Sequence, residues 1–372
     1  MGKEIILRPA RGIRLGGSGG RLAERVLATA AAAIVALGMA ACGGDNGGGT
    51  PAPTKATVKV GLAYDIGGRG DKSFNDAAAA GLERAKTDLN ITANELEANA
   101  TETENDKYNR LKLLCQGGFN PVIAVGFVYA GVDPANGPVS KAAKDCPNTK
   151  FAIIDSVVDA PNVASLVFAE EQGSFLVGAA AALKSTANHI GFVGGCKVDL
   201  IGKFEAGYIA GAKAVKPDIK VDVNYLSTPA DRCSGFNDPA KGKTAAEGMY
   251  DAGADVVYQA AGGSGVGVFQ AAKAKGKKAI GVDSDQYNTV DPALQSVIIT
   301  SMLKRVDNAV FDFVKSMGEN KFTPGVQVFD LKKDGVGYST SGGFVDDIKA
   351  QLEDYKAKII SGQITVPTKP TG

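Results

Sequence analysis

At 372 residues the chain is long enough for two domains, and its hydrophobic content of 44% supplies ordinary cores. A formal net charge of +1, with acidic and basic side chains interspersed, gives no sign of a nucleic-acid-binding surface or a polybasic membrane surface. The 48 glycines and the absence of tryptophan suit an α/β protein with many strand-to-helix turns.

The N-terminus reads as an address. Arg21 and Arg25 precede the apolar run Val26–Ala41, about 16 residues long, which is short for a membrane span and suits a signal peptide. Small residues, Gly38-Met39-Ala40-Ala41, lead into Cys42 in a pattern that resembles a bacterial lipobox, with Met39 where Leu is commoner. A plain signal peptide ending near a cysteine is the alternative. We expect a signal peptide over 1–41 and a lipidated, flexible tether over 42–56, with Cys42 carrying the acyl chains, palmitate included.

Removing Cys42 leaves Cys115, Cys146, Cys196 and Cys233, an even number suited to two bridges in an oxidising compartment. Three pairings exist on paper; pairing by sequence proximity joins Cys115 to Cys146 and Cys196 to Cys233. A zinc site is the competing reading, but no C-x-x-C occurs and the single His189 opens a strand, so no metal is expected.

From Val58 onward strands and helices alternate. Val58–Tyr64 reads as a buried strand, 66–70 as a glycine-rich turn, and Ser73 as the cap of a helix reaching about Leu89, its free N–H groups facing a small molecule. Strands follow near 91–97, 121–127, 151–155 and 162–168, with helices about 106–116 and 138–145. The helix 171–184 is apolar nearly all round and is expected to be buried. The second half repeats the rhythm: strands 189–194, 220–226, 255–260 and 278–283 alternate with helices 202–215, 241–252 and 266–275. A strand and an amphipathic helix over 296–317 follow, and a helix over 344–360 closes the chain. Near-continuous apolar strands separated by helices indicate parallel sheets covered on both faces, and two such sheets make two lobes.

Several turns invite enzyme readings. GGRGDKS at 67–73 lacks the spacing of a phosphate loop and places Asp71 in the cradle, where a carboxylate repels phosphate. GSGVG at 263–267, with Asp283 about 20 residues on, is a partial dinucleotide fingerprint whose third glycine comes one residue early. One histidine, ahead of an apolar strand, leaves nucleophilic triads without an obvious base. Asp65, Asp155 and Asp283 all stand at strand ends. Such carboxylates serve glycosidase chemistry, or simply accept from the hydroxyls and N–H groups of an uncharged ligand.

Six stretches together carry a family resemblance: DKSFN at 71–75, FAEEQGSFLVG at 168–178, IGFVGG at 190–195, FEAGY at 204–208, IGVDSDQ at 280–286 and TSMLKRV at 300–306. In this order, over about 58–363, the chain resembles the basic membrane protein family, the PnrA-like substrate-binding lipoproteins of nucleoside ABC transporters. The four cysteines after Cys42 are not part of the general family pattern.

The resemblance implies an α/β, type I periplasmic-binding-protein fold: two doubly wound parallel-sheet lobes joined by three crossovers. It divides the chain into an N-terminal lobe of 57–165 and 285–318 and a C-terminal lobe of 166–284 and 319–372. It implies that Phe74 stacks on a nucleobase with Asn75 beside it, and that Asp65 and Asp283 bind base edge and ribose hydroxyls. Asp155 and Gly263 line the cleft, Phe204 offers a second aromatic face, and Lys304 lies near the ligand.

The function so implied is capture of a nucleoside, a purine one, for ABC permease subunits. The protein is then a monomer anchored by lipid to the extracytoplasmic face of the cell membrane, with no cofactor, no nucleic-acid partner and no catalysis. A sugar or signalling ligand in the same fold, and an exported nucleoside or glycoside hydrolase, are the alternatives.

Overall fold

The computed structural model describes residues 57–370. The expected signal peptide, the tether and Cys42 lie outside the described residues. The chain begins with β1 (Lys59–Ala63), α1 (Phe74–Leu89), β2 (Thr92–Leu96), α2 (Glu104–Gln116), β3 (Val122–Ala124), α3 (Pro138–Asp145), β4 (Phe151–Ile154) and β5 (Val163–Phe168). It continues through α4 (Glu170–Lys184), β6 (His189–Gly194), α5 (Asp199–Val215), β7 (Lys220–Tyr225), α6 (Pro239–Asp251), β8 (Val256–Ala260), α7 (Gly265–Lys275) and β9 (Lys278–Asp283). Two single-turn helices, α8 (Gln286–Thr289) and α9 (Pro292–Gln295), precede β10 (Ile298–Lys304). The last elements are α10 (Val306–Gly318), β11 (Gly325–Phe329), β12 (Val336–Tyr338) and α11 (Lys349–Ile360).

Every residue of β3, β4, β6 and β8 is buried, the mark of parallel strands covered by helices on both faces. The strands form two six-stranded sheets, in the orders β11-β5-β4-β3-β1-β2 and β12-β10-β9-β8-β6-β7. Pairing is parallel throughout except where β12 runs antiparallel to β10. Each sheet starts one strand in from its edge, at β1 or β6, lays the next strand on the outer side and the following ones on the other. The order therefore reverses between β1 and β3 and again between β6 and β8, the places where open parallel sheets leave a crevice for a ligand.

Lobe membership differs from the expected boundaries. The expected division places 296–317 whole in the first lobe, but the segment is split. β10 pairs with β9 in the second sheet, and only α10 returns to the first lobe, against α1. The passages between lobes fall at Ala169, at Arg305 and over 330–335, after β11 has joined the first sheet beside β5. The physical reason is that IITSML is an apolar run fit for a strand in either sheet, and only register beside β9 decides. β11 and β12 carry no clear strand signal in the sequence, because both are short, partly exposed edge strands.

The largely apolar α4 is buried as its composition requires, between α5, the second sheet and α11. Its contact with α5 is close. A Cβ at Gly178, Gly207 or Gly211 would stand 2.1, 2.1 and 1.9 Å from the carbonyl oxygens of Tyr208, Glu171 and Phe175. Both disulfides follow sequence proximity, Cys115–Cys146 and Cys196–Cys233, with Cα atoms 6.5 and 5.0 Å apart. The first ties the ends of α2 and α3; the second ties the turn after β6 to the loop after β7.

The helix contact yields a test. Gly211→Ala should cost about 1–3 kcal/mol in urea denaturation, because α4 backbone has to move. Gly248→Ala, on an exposed helix position with open space around it, should be neutral or stabilising by up to about 1 kcal/mol.

Candidate functional site

The carboxyl ends of β1, β3 and β4 face those of β8, β9 and β10 across a cleft with about 520 Å³ of empty space, its open mouth included. Asp65, Phe74, Asn75, Asp155, Phe204, Asp283 and Lys304 all line it. Gly263 does not. Its neighbour Gly262 takes the lining position, and Gly263 faces Asn237, Phe236 and Asp71 instead.

On the first lobe, Asp71 organises the start of α1. Its carboxylate accepts from the backbone N–H groups of Ser73, Asn75 and Asp76 at 2.9, 2.9 and 3.1 Å. The Asn75 and Asp76 N–H groups, expected to be free for a ligand, are therefore already taken. Ser73 occupies the cap position without capping; its hydroxyl donates to Asp283 of the second lobe at 2.6 Å. Asn75 is likewise committed within the protein. Its Oδ1 accepts from the Asp65 N–H at 3.1 Å, and its Nδ2 donates to Asp71 at 3.0 Å and to the Ile66 carbonyl at 3.4 Å. Asn75 thus positions Asp65 and the turn.

Asp65 itself sits in a tight pocket. A Cβ on Gly126, whose φ is +112°, would come within 2.3 Å of its Oδ2. Behind it Tyr129 donates to the Tyr64 carbonyl at 2.7 Å, Arg110 donates to Tyr129 at 2.5 Å, and Glu102 pairs with both Arg110 and Lys107. Burial pushes the Asp65 carboxyl up to about 7, against the pull of the Ile66 N–H and of Lys107. Burial likewise raises Asp71 to about 6, although three backbone N–H groups pull it down.

At the centre lies Lys304, 2% exposed, with Nζ 2.5 Å from Asp155 and 3.3 Å from Glu170. The rings of Phe74, Phe168 and Phe204 surround the same ammonium at 5.1, 5.1 and 5.5 Å. Burial opposes the charge on Lys304, but Asp155, Glu170 and Asp283 outweigh it and raise its pKa, so it stays protonated. Burial raises both Asp155 and Asp283, offset in part by Lys304. Asp155 Oδ2 is held by the ammonium, whereas its buried Oδ1 has no partner in the protein. A buried oxygen of this kind calls for a donor from elsewhere. Asp155 and Asp283 also share backbone geometry, with φ of 68° and 62°, the left-handed region that aspartate tolerates better than most residues.

Sequence reasoning missed two aromatics of the cleft. Phe127 follows β3, and Phe236 lies in the loop beside Cys233. The signal for Phe127 was its place at the end of the run 121–127; Phe236 had none, because its loop comes to the cleft only through tertiary packing. Among the described residues no cluster of three or more metal-ligating side chains forms, and no helix is long and apolar enough to cross a membrane.

Two stability tests follow. Lys304→Met should destabilise the protein by about 3–5 kcal/mol at neutral pH, because Asp155 and Glu170 lose their counter-ion in the interior. The cost should shrink on acidification as Asp155, whose carboxyl burial raises to about 7, takes up a proton. Asp65, with a folded pKa of about 7 against an ordinary 3.8, binds its proton more tightly in the folded state. Its contribution is therefore greatest in acid and is lost as pH rises from about 4 to 7. Asp65→Asn should raise stability at pH 8 and lose that advantage by pH 4, read by denaturation at each pH.

Known proteins share both sequence and architecture with this chain. The family described as ABC transporter substrate-binding protein PnrA-like matches residues 57–370. The ABC transporter nucleoside-binding protein BmpA of Lactococcus lactis is 36% identical over 366 residues, covering 93% of this chain and 99% of that protein. Basic membrane protein A of Borreliella burgdorferi is 30% identical, covering 88% and 91%. An ABC transporter solute-binding protein of Aeropyrum pernix superposes with a TM-score of 0.71 at 30% identity, over 84% of this chain and 94% of that one. The Lactococcus lactis and Aeropyrum pernix proteins are binding proteins of ABC transporters by name, and the Aeropyrum structure shares the two-lobed α/β fold. With the cleft between two like-wound sheets and a match that spans the described chain, the protein belongs to the PnrA-like (Bmp) family of ABC transporter substrate-binding proteins.

Proposed function

We propose that the protein captures nucleosides, purine nucleosides foremost, and delivers them to the permease subunits of an ABC importer. On this reading it is a monomer, tethered through lipidated Cys42 on the extracytoplasmic face of the membrane. The supporting observation is the unpartnered Asp155 Oδ1, buried beside the rings of Phe74 and Phe204 and flanked by Asp65 and Asp283. Carboxylate oxygens accept from ribose hydroxyls and base N–H groups, and a phenylalanine face stacks on a base. A nucleotide fits poorly. Four carboxylates face the cleft, and the one ammonium there, Lys304, is already paired with Asp155 and Glu170. The nucleoside-binding name of the Lactococcus lactis relative points the same way.

The role is binding without chemistry. Asp155 holds Lys304 and Asp283 holds Ser73, so two of the three strand-end carboxylates already have structural work.

A thermal-shift panel of nucleosides, free bases, sugars and nucleotides tests the assignment. Stabilisation that grows with nucleoside concentration is expected; a shift with sugars alone sinks it. Phe74→Ala should weaken nucleoside binding about 10–100-fold, the worth of one stacking face, with an unchanged fold by circular dichroism. Affinity should also rise from pH 6 to pH 8 in titration calorimetry. Asp65 loses its proton near 7 and becomes a full acceptor, and burial moves Asp155 and Asp283 in the same direction.

A further inference from the structure

The loop between β7 and α6 meets the first lobe in two places. The Phe236 ring lies 6.3 Å from that of Phe127, edge to face at 65°, and both rings line the cleft. Four residues earlier, Arg232 donates from Nη1 to the Thr101 carbonyl at 2.7 Å. Both contacts join opposite lobes.

The loop is held with unusual thoroughness. Cys233 is bonded to Cys196, just after β6. Ser227 donates to the Gly195 carbonyl at 2.7 Å and accepts from the Gly235 N–H at 2.9 Å. Ser264 donates to the Gly235 carbonyl and accepts from the Asp238 N–H, both at 2.7 Å. The loop rests directly on backbone, since a Cβ on Gly195 would strike the Phe236 ring at 2.3 Å. Arg232 and Cys233 are consecutive non-glycine residues at φ 54° and 53°. Left-handed residues of this kind persist only where the surroundings enforce them. Here the disulfide and the two serines do so, and the side chains aimed by the strained turn are Arg232 and, just beyond, Phe236.

We propose that Phe127 and Phe236 form an aromatic gate between the lobes, latched by Arg232 on Thr101, and that the Cys196–Cys233 bridge positions it to slow ligand escape. The ligand side of this inference rests on the nucleoside reading above. The gate acts after capture. Its loss therefore accelerates dissociation more than it slows association, because encounter takes place with the lobes apart. The other disulfide, Cys115–Cys146, ties α2 to α3 away from the cleft and serves as the internal control.

Release of tritiated adenosine in a chase experiment reads the gate. Phe236→Ala and the double variant Cys196→Ser/Cys233→Ser should each release adenosine about tenfold faster, the scale of one lost aromatic contact, with association nearly unchanged. Cys115→Ser/Cys146→Ser should match the parent protein. Unchanged release in the first two variants overturns the proposal, as does equal acceleration in the control double variant.

If the parent protein itself fails to hold adenosine, the nucleoside reading falls, and the gate is read without ligand. Amide exchange over 228–237 and 126–131 should then quicken in both gate variants. Exchange identical to the parent's overturns the gate as well.

Discussion

The ion group around Lys304 is the constraint on which the arrangement depends. Lys304 ends β10 immediately before the passage at Arg305, Glu170 follows the passage at Ala169, and Asp155 ends β4 in the opposite sheet. One ammonium thus ties both lobes at the point where two connecting segments cross. Buried pairs of this sort add little net stability, since desolvation cancels most of the attraction. Breaking one is costly, however, so the group restricts which relative positions of the lobes are affordable. Three phenylalanine rings gathered round the same charge inherit that restriction.

Around this centre, most polar groups of the first jaw are satisfied internally. Asp71 consumes the start of α1, Asn75 braces Asp65, and Ser73 reaches across to Asp283. The turn at Lys72 and Ser73 is gripped further by the second lobe: Ser284 donates to the Ser73 carbonyl and Gln286 to the Lys72 carbonyl, at 2.8 and 2.9 Å. Such preorganisation leaves few groups to order when a ligand arrives. The acidic character of the cleft survives because Asp65 and Asp155 are buried beyond the ends of their strands, where they keep acceptor oxygens with few donors of the protein's own.

Much of this was legible in the residues. Apolar runs of five or six between helical periods marked most strands, because a strand covered on both faces has no polar side to show. The strand-end aspartates were legible for a related reason. In a parallel sheet the carboxyl ends point to one edge, so their position along the chain already states which way they face. The edge strands β11 and β12 and the split of 296–317 were not, since half-exposed strands lose the pattern and an apolar strand fits either sheet. Gly263 failed by one residue because a turn's lining position depends on φ, and Gly262 is the one at 54°.

The sequence by itself determined the alternation of strands and helices, the two-lobed α/β class and most of the residues that reach the cleft. The alternation, the fold class and the strand-end aspartates rest on local periodicity and on edge polarity, both carried by neighbouring residues; Asn75, Phe204 and Lys304 were implied by the family resemblance of the stretches that hold them. Only the tertiary structure decided what each residue does there. Ser73 abandons its cap for Asp283, Asn75 spends its amide on the turn, Lys304 is shared by Asp155 and Glu170, and Phe236 meets Phe127 across the lobes. Each of these roles is set by a partner more than a hundred residues away or by competition among several near donors and acceptors. No local pattern ranks such partners, because their distances exist only once both sheets are in place.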